Sequence, residues 1–577
     1  MTRLLIVLAV LVLSAQFARA AKVISVTDFG ARPNDGADDS AAVRQAIREC
    51  VKTPGAVLKF PKGRYDFFPV ATGRPQSPPG MFFADCQGIT VDGGGSTLVY
   101  RGVMGAMSFR SCRDVVVKDL TIDWDRPPYS VGTVVADGEK YFDVDVQKAF
   151  PVQGGEPVGA FMEYDPKTKF PRRDGLDVYY GVDRTELVGP QRLRVHLKRD
   201  ATAAVGALMI LRHQVYGPGG IGLNECDGAR VENVTIYTAP GMGVTGTRTS
   251  DIVLRNVRIV PKPDSPNMMS VTADATHFNS CTGEITIEGC EFEGMGDDAT
   301  NVHGMFHNVT ERVDERTVRS VVRNQWLFPP KAGQEMEFTD PATLLPYATG
   351  TVAEVAVDNQ AKNHRITFAK PLPDRLKVGD WLGNVAWAPK LRIRNCKVRG
   401  NRARGFLIQT RDAVIEGCHI AHNQSAAINV TTDLHPWTES IGTRKIVIRN
   451  NVFEDVNNCA RWHPGAISIF ADLAEGKGRG AAGVHRDILI EGNTIRDTAD
   501  AAIYVCSADG VVIRNNTIES SSARPRRPEG RHAIYVQNSR NVEITANKLT
   551  PGPGQATPVG MSNSPTETVK VHDNEGF

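Results

Sequence analysis

The chain has 577 residues, which is too long for one ordinary compact domain. A hydrophobic content of 41% and a charged content of 23% are typical of a soluble globular protein. The formal net charge of +2 gives no reason to expect nucleic acid or an anionic membrane as a partner.

The first twenty residues have the pattern of a secretory signal peptide. An apolar run from Leu4 to Leu13 precedes Ala18-Arg19-Ala20, which matches a small-residue cleavage site. The run is too short to span a bilayer. We therefore expect residues 1–20 to be removed, the mature protein to begin near Ala21, and the protein to be exported to the periplasm or the extracellular space.

The mature chain begins with one strand and a turn, followed by a predicted amphipathic helix near Asp39 to Cys50. A helix at this position would cover the open edge of the β-structure that follows it, as an exposed edge requires.

A short pattern then recurs along the chain: apolar-x-apolar, two mostly polar residues, and another apolar residue. Alternation with period two predicts strands. The central pair, often Gly or Asn, predicts a bend between two short strands. Asp251 follows Gly228 by 23 residues, and Asp412 follows Lys390 by 22. The repeated segments begin at Asp114, Gly228, Asp251, Glu284, Lys390, Asp412, Lys445, Asp487, Gly510 and Asn541.

This repeat predicts an all-β fold, a right-handed parallel β-helix. One coil cannot bury its apolar side alone, so neighbouring coils must stack to form a core. Equivalent residues on neighbouring coils then lie about 4.8 Å apart.

Two stretches, 130–215 and 305–388, are rich in predicted strands but lack the repeat. They resemble each other: "VGAFMEYDPKT" in the first parallels "GQEMEFTDPAT" in the second. We interpret them as two related small β-barrel modules inserted into loops of the coil. The predicted division is a signal peptide (1–20), N-terminal coils (21–129), first barrel (130–215), middle coils (216–304), second barrel (305–388) and C-terminal coils (389–577).

Three aspartates stand out in the middle coils. Asp274 and Asp297 are 23 residues apart, one coil length, so they should lie one above the other or nearly so, and Asp298 adjoins Asp297. Carboxylates this close cannot all ionise freely, and one keeps its proton. Such a set supplies the general acid and general base that inverting glycoside hydrolysis requires.

Other interpretations of these acids are simpler. Asp, Asn and Gly commonly form turns, and turn carboxylates can bind Ca²⁺. His303 and His307 are four residues apart, a metal-binding spacing on a helix, but no helix is predicted there. We favour catalysis without a metal or other cofactor, because three acids share a one-coil offset with two histidines nearby.

The segments "TADATHF" (272–278), "GMGDDATNVHG" (294–304) and "AAINVTTDLHPWTES" (426–440) resemble motifs of glycoside hydrolase family 110. The resemblance spans essentially the whole mature chain. It implies a secreted, exo-acting, inverting α-1,3-galactosidase with a β-helix and two inserted β-barrels. It also implies that Asp297 is the acid and that Asp274 and Asp298 hold and activate the water.

The third motif matches a family segment connected with sugar binding. Through that resemblance, Asp433, Trp437 and Glu439 are candidate substrate-binding residues; His435-Pro436 between them is less typical of the family. A Trp offers a flat apolar face to a sugar, and carboxylates accept hydrogen bonds from hydroxyls. Five further candidate substrate-binding residues lie near the acids or one coil away: His277, Asn301, His303, Gln409 and Arg411.

Two other functions stay open. A polygalacturonase also uses a β-helix with an Asp, an Asp-Asp pair and a His, but this chain has "VHG" where that family shows "GHG", and it lacks "RIK". A non-catalytic β-helix that binds carbohydrate would not need three clustered acids. The expected partner is an oligosaccharide or glycan with terminal α-galactose. The sequence leaves open the oligomeric state, with a homodimer as one option, and the choice between branched blood-group-B-type and linear substrates.

Cysteine usage does not settle whether disulfides form. The ten cysteines include no C-x-x-C pair, and most flank strand-like runs. This favours buried, stacked thiols, with one or two bridges as the alternative.

Overall fold

The computed structural model describes residues 21–70, 77–459 and 463–577. The predicted signal peptide lies outside the described residues. The rest forms a parallel β-helix, so the predicted fold class is confirmed. Within the described part of the chain, no helix is long and apolar enough to cross a membrane.

Each coil contributes one strand to a first sheet and one or two strands to a second sheet. Strands of the first sheet are Met81–Ala84, Met107–Arg110, Ile221–Asn224, Val244–Thr247, Thr276–Asn279, Thr300–Arg312, Phe406–Ile408, Ile428–Asp433, Gly465–Asp472, Ala501–Cys506, His532–Gln537 and Thr557–Ser562. The second sheet has 23 strands: Val23–Ser25, Val57–Lys59, Arg64–Phe67, Thr90–Tyr100, Arg113–Trp124, Asp227–Ile236, Ser250–Arg255, Arg258–Ile259, Thr282–Glu288, Glu291–Glu293, Lys390–Arg394, Lys397–Arg399, Arg411–Glu416, His419–Ala421, Arg444–Arg449, Val452–Glu454, His485–Glu491, Thr494–Arg496, Ala508–Arg514, Thr517–Glu519, Arg540–Thr545, Lys548–Thr550 and Val569–His572.

Stacked apolar side chains fill the interior of the helix. The inward positions of the repeat align in register, and burying each such side chain contributes about 1.5–3 kcal/mol. One such stack consists of Val117, Val231, Leu254, Ile287, Ile393, Ile415, Ile448, Ile490, Ile513 and Ile544. All of these side chains are buried. Because a one-residue slip would turn this row outward, the register of the coils is strongly fixed.

The α-helix Ser40–Cys50 packs against the first coils. Its buried residues Val43, Ala46, Ile47 and Cys50 form one apolar stripe, the spacing expected of a half-buried helix. Short 3₁₀ segments lie at Val26–Phe29, Arg323–Gln325, Val385–Trp387, Glu529–Arg531 and Thr566–Thr568.

Two groups of antiparallel strands interrupt the coils. The first is a seven-stranded sheet of Tyr129–Gly138, Tyr141–Val146, Ala160–Tyr164, Asp177–Tyr179, Val182–Gly189, Arg192–Leu197 and Leu208–Arg212. The second joins the end of Thr300–Arg312 to Thr317–Val321, Glu335–Thr339, Pro346–Asp358, Asn363–Phe368 and Trp381–Asn384. We call these groups the first and the second insert.

The two inserts share a pairing order. In each, the first strand pairs with the second and with the last, and the third pairs with the last. This agrees with the likeness between their sequences. The predicted domain boundaries stay predictions.

All ten cysteines are buried, and nine of them are free thiols: Cys50, Cys86, Cys112, Cys226, Cys281, Cys290, Cys396, Cys418 and Cys506. Several stack between coils as the repeat predicts; the sulfur atoms of Cys86 and Cys112 lie 3.0 Å apart.

Candidate active site

The three aspartates lie together just before two paired strands of the first sheet, Thr276–Asn279 and Thr300–Arg312. Thr276 pairs with Thr300, so the offset between these coils is 24 residues rather than 23. Asp298, not Asp297, therefore aligns with Asp274, and the backbone N–H of Asp298 donates to Asp274 Oδ1 at 3.2 Å. One carboxylate oxygen from each aspartate lies within 4.8 Å of the others, and all three residues are buried.

Asp297 is held by two donors that come from outside its own coil. The Tyr216 hydroxyl donates to Oδ2 at 2.7 Å, and Arg402 Nη1 donates to Oδ1 at 3.0 Å. Arg402 also pairs with Asp177 of the first insert at 3.0 Å. The first insert therefore fixes the arginine that fixes Asp297.

Asp298 has a different arginine. Arg404 Nη2 donates to Oδ2 at 2.7 Å, and the backbone N–H of Arg404 donates to Oδ1 at 2.9 Å. Both oxygens of Asp298 are therefore occupied by donors from the next coil.

Asp274 has a histidine partner instead. Its Oδ2 lies 2.6 Å from His277 Nδ1, and His277 Nε2 lies 3.0 Å from His303 Nε2. His303 Nδ1 lies 2.8 Å from the carbonyl oxygen of Gly304. A continuous chain of hydrogen bonds runs from Asp274 to the backbone of the neighbouring strand.

These surroundings shift the pKa values of the three carboxyl groups in different directions. Burial and then the charge of Asp297 raise the pKa of Asp274 well above its usual value. Burial also raises the pKa of Asp298 well above its usual value, although Arg404 opposes the shift. Burial alone would raise the pKa of Asp297, but Arg402 and Arg404 outweigh it and the pKa is lowered. The residue predicted to be the acid is thus the readiest of the three to ionise without substrate.

A second group of predicted site residues lies beside the histidines. Glu439 Oε1 is 3.5 Å from His303 Nε2, and Gln409 Nε2 donates to the other oxygen of Glu439. Asp433 caps its own loop by accepting from the backbone N–H groups of Trp437 and Thr438. Burial, then the charge of Glu439, raises the pKa of Asp433 to about 8.

The remaining predicted residues fall in different surroundings. Trp437 is 46% exposed, and the Arg323 guanidinium of the second insert lies 4.0 Å from the centre of its ring. Asn301 is buried next to His277, and its Oδ1 has no hydrogen-bond partner among the described residues. Arg411 forms an ion pair with Glu337 of the second insert at 2.9 Å, which indicates that it anchors that insert.

Sequence reasoning missed several residues of the site. Arg402 and Arg404 lie in "GNRARG", which has the composition of a solvated turn. The two arginines are two residues apart and directly follow a strand of the coil. This spacing, which places both side chains on one face, is the signal in the sequence that could have indicated that both face the acids. Tyr179 and Tyr216 belong to or border the first insert, where no repeat predicts position; the Tyr179 hydroxyl donates to the Gly296 carbonyl at 3.1 Å.

The three carboxylates offer oxygens close enough together to bind a cation. Arg402 and Arg404 already place two positive charges against Asp297 and Asp298. These arginines supply the charge that a cation would supply, so the expectation of a metal-free site stays our prediction.

Comparison with known proteins bears on the fold and on the family resemblance. Residues 382–575 match the family described as right handed beta helix region, and residues 329–382 match the GLAA-B beta-barrel domain II. Alpha-1,3-galactosidase A of Shewanella woodyi is 29% identical over 91% of this chain and 90% of its own length. The resemblance to glycoside hydrolase family 110 is confirmed. Alpha-1,3-galactosidase B of Bacteroides thetaiotaomicron is 26% identical over 94% of this chain and 93% of its own length. Alpha-1,3-galactosidase A of Bacteroides fragilis is 26% identical over 92% of this chain and 93% of its own length. Each of these three relatives matches more than nine-tenths of this chain.

Proposed function

We propose that this protein is an exo-acting α-1,3-galactosidase that releases terminal α-1,3-linked galactose from oligosaccharides or glycans with inversion. The observation that carries the proposal is the cluster of Asp274, Asp297 and Asp298, three buried carboxylates with separate partners. The names of the homologues supply the substrate class.

In the proposed reaction, Asp297 donates a proton to the leaving glycosidic oxygen. Asp274 and Asp298 hold a water on the opposite side of the anomeric carbon. A water that hydrogen-bonds to two oxygens at about 2.7 Å from each fits between groups separated by up to 4.8 Å. The water attacks as the bond to the leaving group breaks, and its proton passes to a carboxylate.

The lowered pKa of Asp297 has a consequence for this scheme. The reactive form has the proton on Asp297, which is a minor form because Arg402 and Tyr216 favour the ionised carboxylate. A carboxyl group that loses its proton readily is a strong donor once it is protonated. The acceptor of the proton of water must be ionised, and the pKa values of Asp274 and Asp298 are raised. We therefore expect activity to be highest between the pKa of Asp297 and the pKa of that acceptor, and to fall at pH values below the pKa of Asp297.

The short spacing of the carboxylates favours a second mechanism. Inverting glycosidases usually separate the two carboxyl groups by about 6.5–9.5 Å, and retaining enzymes by about 5–5.5 Å. Oxygens within 4.8 Å match the second class better. We retain inversion because the third carboxylate gives the water a second acceptor, and because both oxygens of Asp298 are already hydrogen-bonded.

Parts of both inserts support removal of single terminal sugars. Tyr179 of the first insert lies over the Arg402 guanidinium at 4.2 Å, and Arg323 of the second insert lies over Trp437. These contacts bring both inserts to the margins of the site. Asn301 pairs with His277, and Gln409 donates to Glu439. The buried amide oxygens of both residues have no partner among the described residues, and in the proposed complex they accept hydrogen bonds from galactose hydroxyls.

Digestion of linkage-defined glycans tests the function. Purified protein should release free galactose from terminal α-1,3-galactosides, and branched and linear acceptors compared side by side would define the preference. β-1,4-linked galactosides serve as the substrate control, and the Asp297→Asn variant serves as the enzyme control. Oligomers of galacturonic acid from pectin would instead identify a polygalacturonase. Binding to the glycan without release of sugar would identify a carbohydrate-binding protein.

We also propose export, which the sequence of residues 1–20 supports. Sequencing the protein recovered outside the cytoplasm tests this, and a mature N-terminus at or near Ala21 is expected.

A further inference from the structure

The hydrogen bonds from Asp274 through His277 to His303 fix where protons sit. The Gly304 carbonyl can only accept, so His303 Nδ1 carries a hydrogen. His303 is buried, and this burial lowers its pKa, so the ring is neutral and its Nε2 is an acceptor. His277 Nε2 must then donate to it.

One nitrogen of His277 is left for Asp274. At 2.6 Å, His277 Nδ1 and Asp274 Oδ2 must share a single proton, because two lone pairs at that distance would repel and two protons would clash. The resting pair of Asp274 and His277 is therefore neutral overall. A neutral pair accepts a further proton only if positive charge can move elsewhere.

Glu439 provides the place for that charge. Its Oε1 lies 3.5 Å from His303 Nε2, so an imidazolium at His303 would face a carboxylate. Burial would raise the pKa of Glu439, but a positive charge on His303 and the hydrogen bond from Gln409 outweigh it, so the pKa is lowered when His303 carries a proton. An ionised Glu439 and an imidazolium at His303 therefore stabilise each other.

Asp298 has no comparable route. Its oxygens accept from the side chain and the backbone N–H of Arg404, and neither donor takes up a proton. Three carboxylates other than Asp274 also act on His277 through their charge: Glu439, Asp298 and Asp297. Among the described residues, Asp274 alone of the three aspartates is hydrogen-bonded to a histidine.

We propose that Asp274, His277 and His303 form a proton relay that ends beside Glu439, which makes Asp274 the acceptor of the proton of the attacking water. The inference rests on the proposed glycosidase function. As the oxygen of water bonds to the anomeric carbon, its proton moves to Asp274. The shared proton moves fully to His277 Nδ1, and the proton on His277 Nε2 moves to His303 Nε2. His277 ends neutral, His303 ends as an imidazolium, and the leaving oxygen takes the proton of Asp297.

Two substitutions at His303 separate a relay from a merely structural contact. His303→Gln keeps an acceptor for His277 but cannot carry a proton onward, whereas His303→Leu keeps neither. A relay predicts that both variants lose about 10²-fold in kcat, the usual scale for proton-transfer catalysis, on natural and nitrophenyl substrates alike. Recovery of the His303→Gln variant to within a few-fold of wild type would overturn the relay.

His277→Gln provides a second variant at a partly exposed position, with the same loss expected. His485→Gln is the matched control, because His485, like His303, is a buried histidine. Its hydrogen-bond partner is the hydroxyl of Thr443, at 2.9 Å. The control should keep wild-type kcat. If the His277→Gln variant also keeps it, the proposal is wrong.

Proton NMR of the substrate-free protein gives a readout that needs no activity. The short bond between His277 Nδ1 and Asp274 Oδ2 should give a far-downfield proton resonance that is lost in His277→Gln and retained in His485→Gln. If that resonance is absent from the wild type, the relay is refuted. If it behaves as expected but no galactoside is cleaved, the proton sharing stands and the glycosidase function fails.

Discussion

Replacing Asp297 by Asn should separate proton donation from every other role of the site. The structure indicates that the fold tolerates this change. An amide oxygen can still accept from Arg402, now 3.0 Å from Oδ1, and the amide nitrogen can donate to the Tyr216 hydroxyl, now 2.7 Å from Oδ2. Arg402 also keeps its ion pair with Asp177, so no buried arginine is left unpaired.

The expected loss follows from the missing proton. General acid catalysis contributes about 10²- to 10⁴-fold, which corresponds to about 3–5 kcal/mol of transition-state stabilisation. A glycan is a poor leaving group, so kcat/KM of the variant on a glycan substrate should fall by this whole factor. A nitrophenyl galactoside leaves without much help, so its loss should be at least about tenfold smaller.

The assay compares both substrates for Asp297→Asn and Asp298→Asn at the optimum pH of the wild type. Asp298→Asn should harm both substrates to a similar extent, because it disturbs the water rather than the leaving group. Equal losses on the two substrates for Asp297→Asn, or a loss below tenfold on the glycan, would refute the assignment of Asp297 as the acid.

Three further predictions follow from the surroundings of the acids. Tyr216→Phe removes a hydrogen bond that favours ionised Asp297, and so raises the pKa of that carboxyl group. Because Tyr216 is half-exposed, we take the low end for a hydrogen bond to a charged group, about 1.5 kcal/mol. The acidic limb of the pH profile should then move to higher pH, and kcat/KM at a fixed pH on that limb, divided by kcat/KM at the optimum, should fall about tenfold. An acidic limb that stays in place would contradict this. For Asp274 the folded-state pKa lies above the unfolded value, so the folded chain binds the proton more tightly and stability falls as pH rises from about 4 towards the folded pKa. Asp274→Asn should therefore melt no lower than wild type at pH 7 in calorimetry, with any advantage shrinking towards pH 4; a clear loss at pH 7 would disprove the reasoning. Treatment with EDTA should leave activity unchanged, because arginines already neutralise the acids, and a loss restored by one added metal would overturn that claim.

The coil architecture could be predicted because the sequence of each repeat indicates its own local structure. Alternating apolar residues define the strands, and the repeat length defines the stacking. The same logic brought Asp274 near Asp297 and Asp298. It gave the wrong alignment partner, because this coil is 24 residues long rather than the 23 of the repeat length that was used.

The electrostatics of the site could not be predicted in the same way. The state of Asp297 depends on Tyr216 and Arg402, and Arg402 is fixed by Asp177 from an insert outside the repeat. A sequence pattern with period two says nothing about which insert residue folds back over which coil. Arg411 illustrates the same limit from the side of the coil. Its position in the repeat predicted a substrate-binding residue, whereas in the structure it forms an ion pair with Glu337 of the second insert.

The anomer of the first sugar released tests the central claim most directly. Proton NMR during the first turnovers on an α-1,3-galactoside distinguishes α-galactose from β-galactose before the two interconvert. Inversion by water held between Asp274 and Asp298 predicts β-galactose first. If α-galactose appears first, a carboxylate attacks the sugar, as the oxygen spacing within 4.8 Å also permits, and the water-activation scheme is wrong.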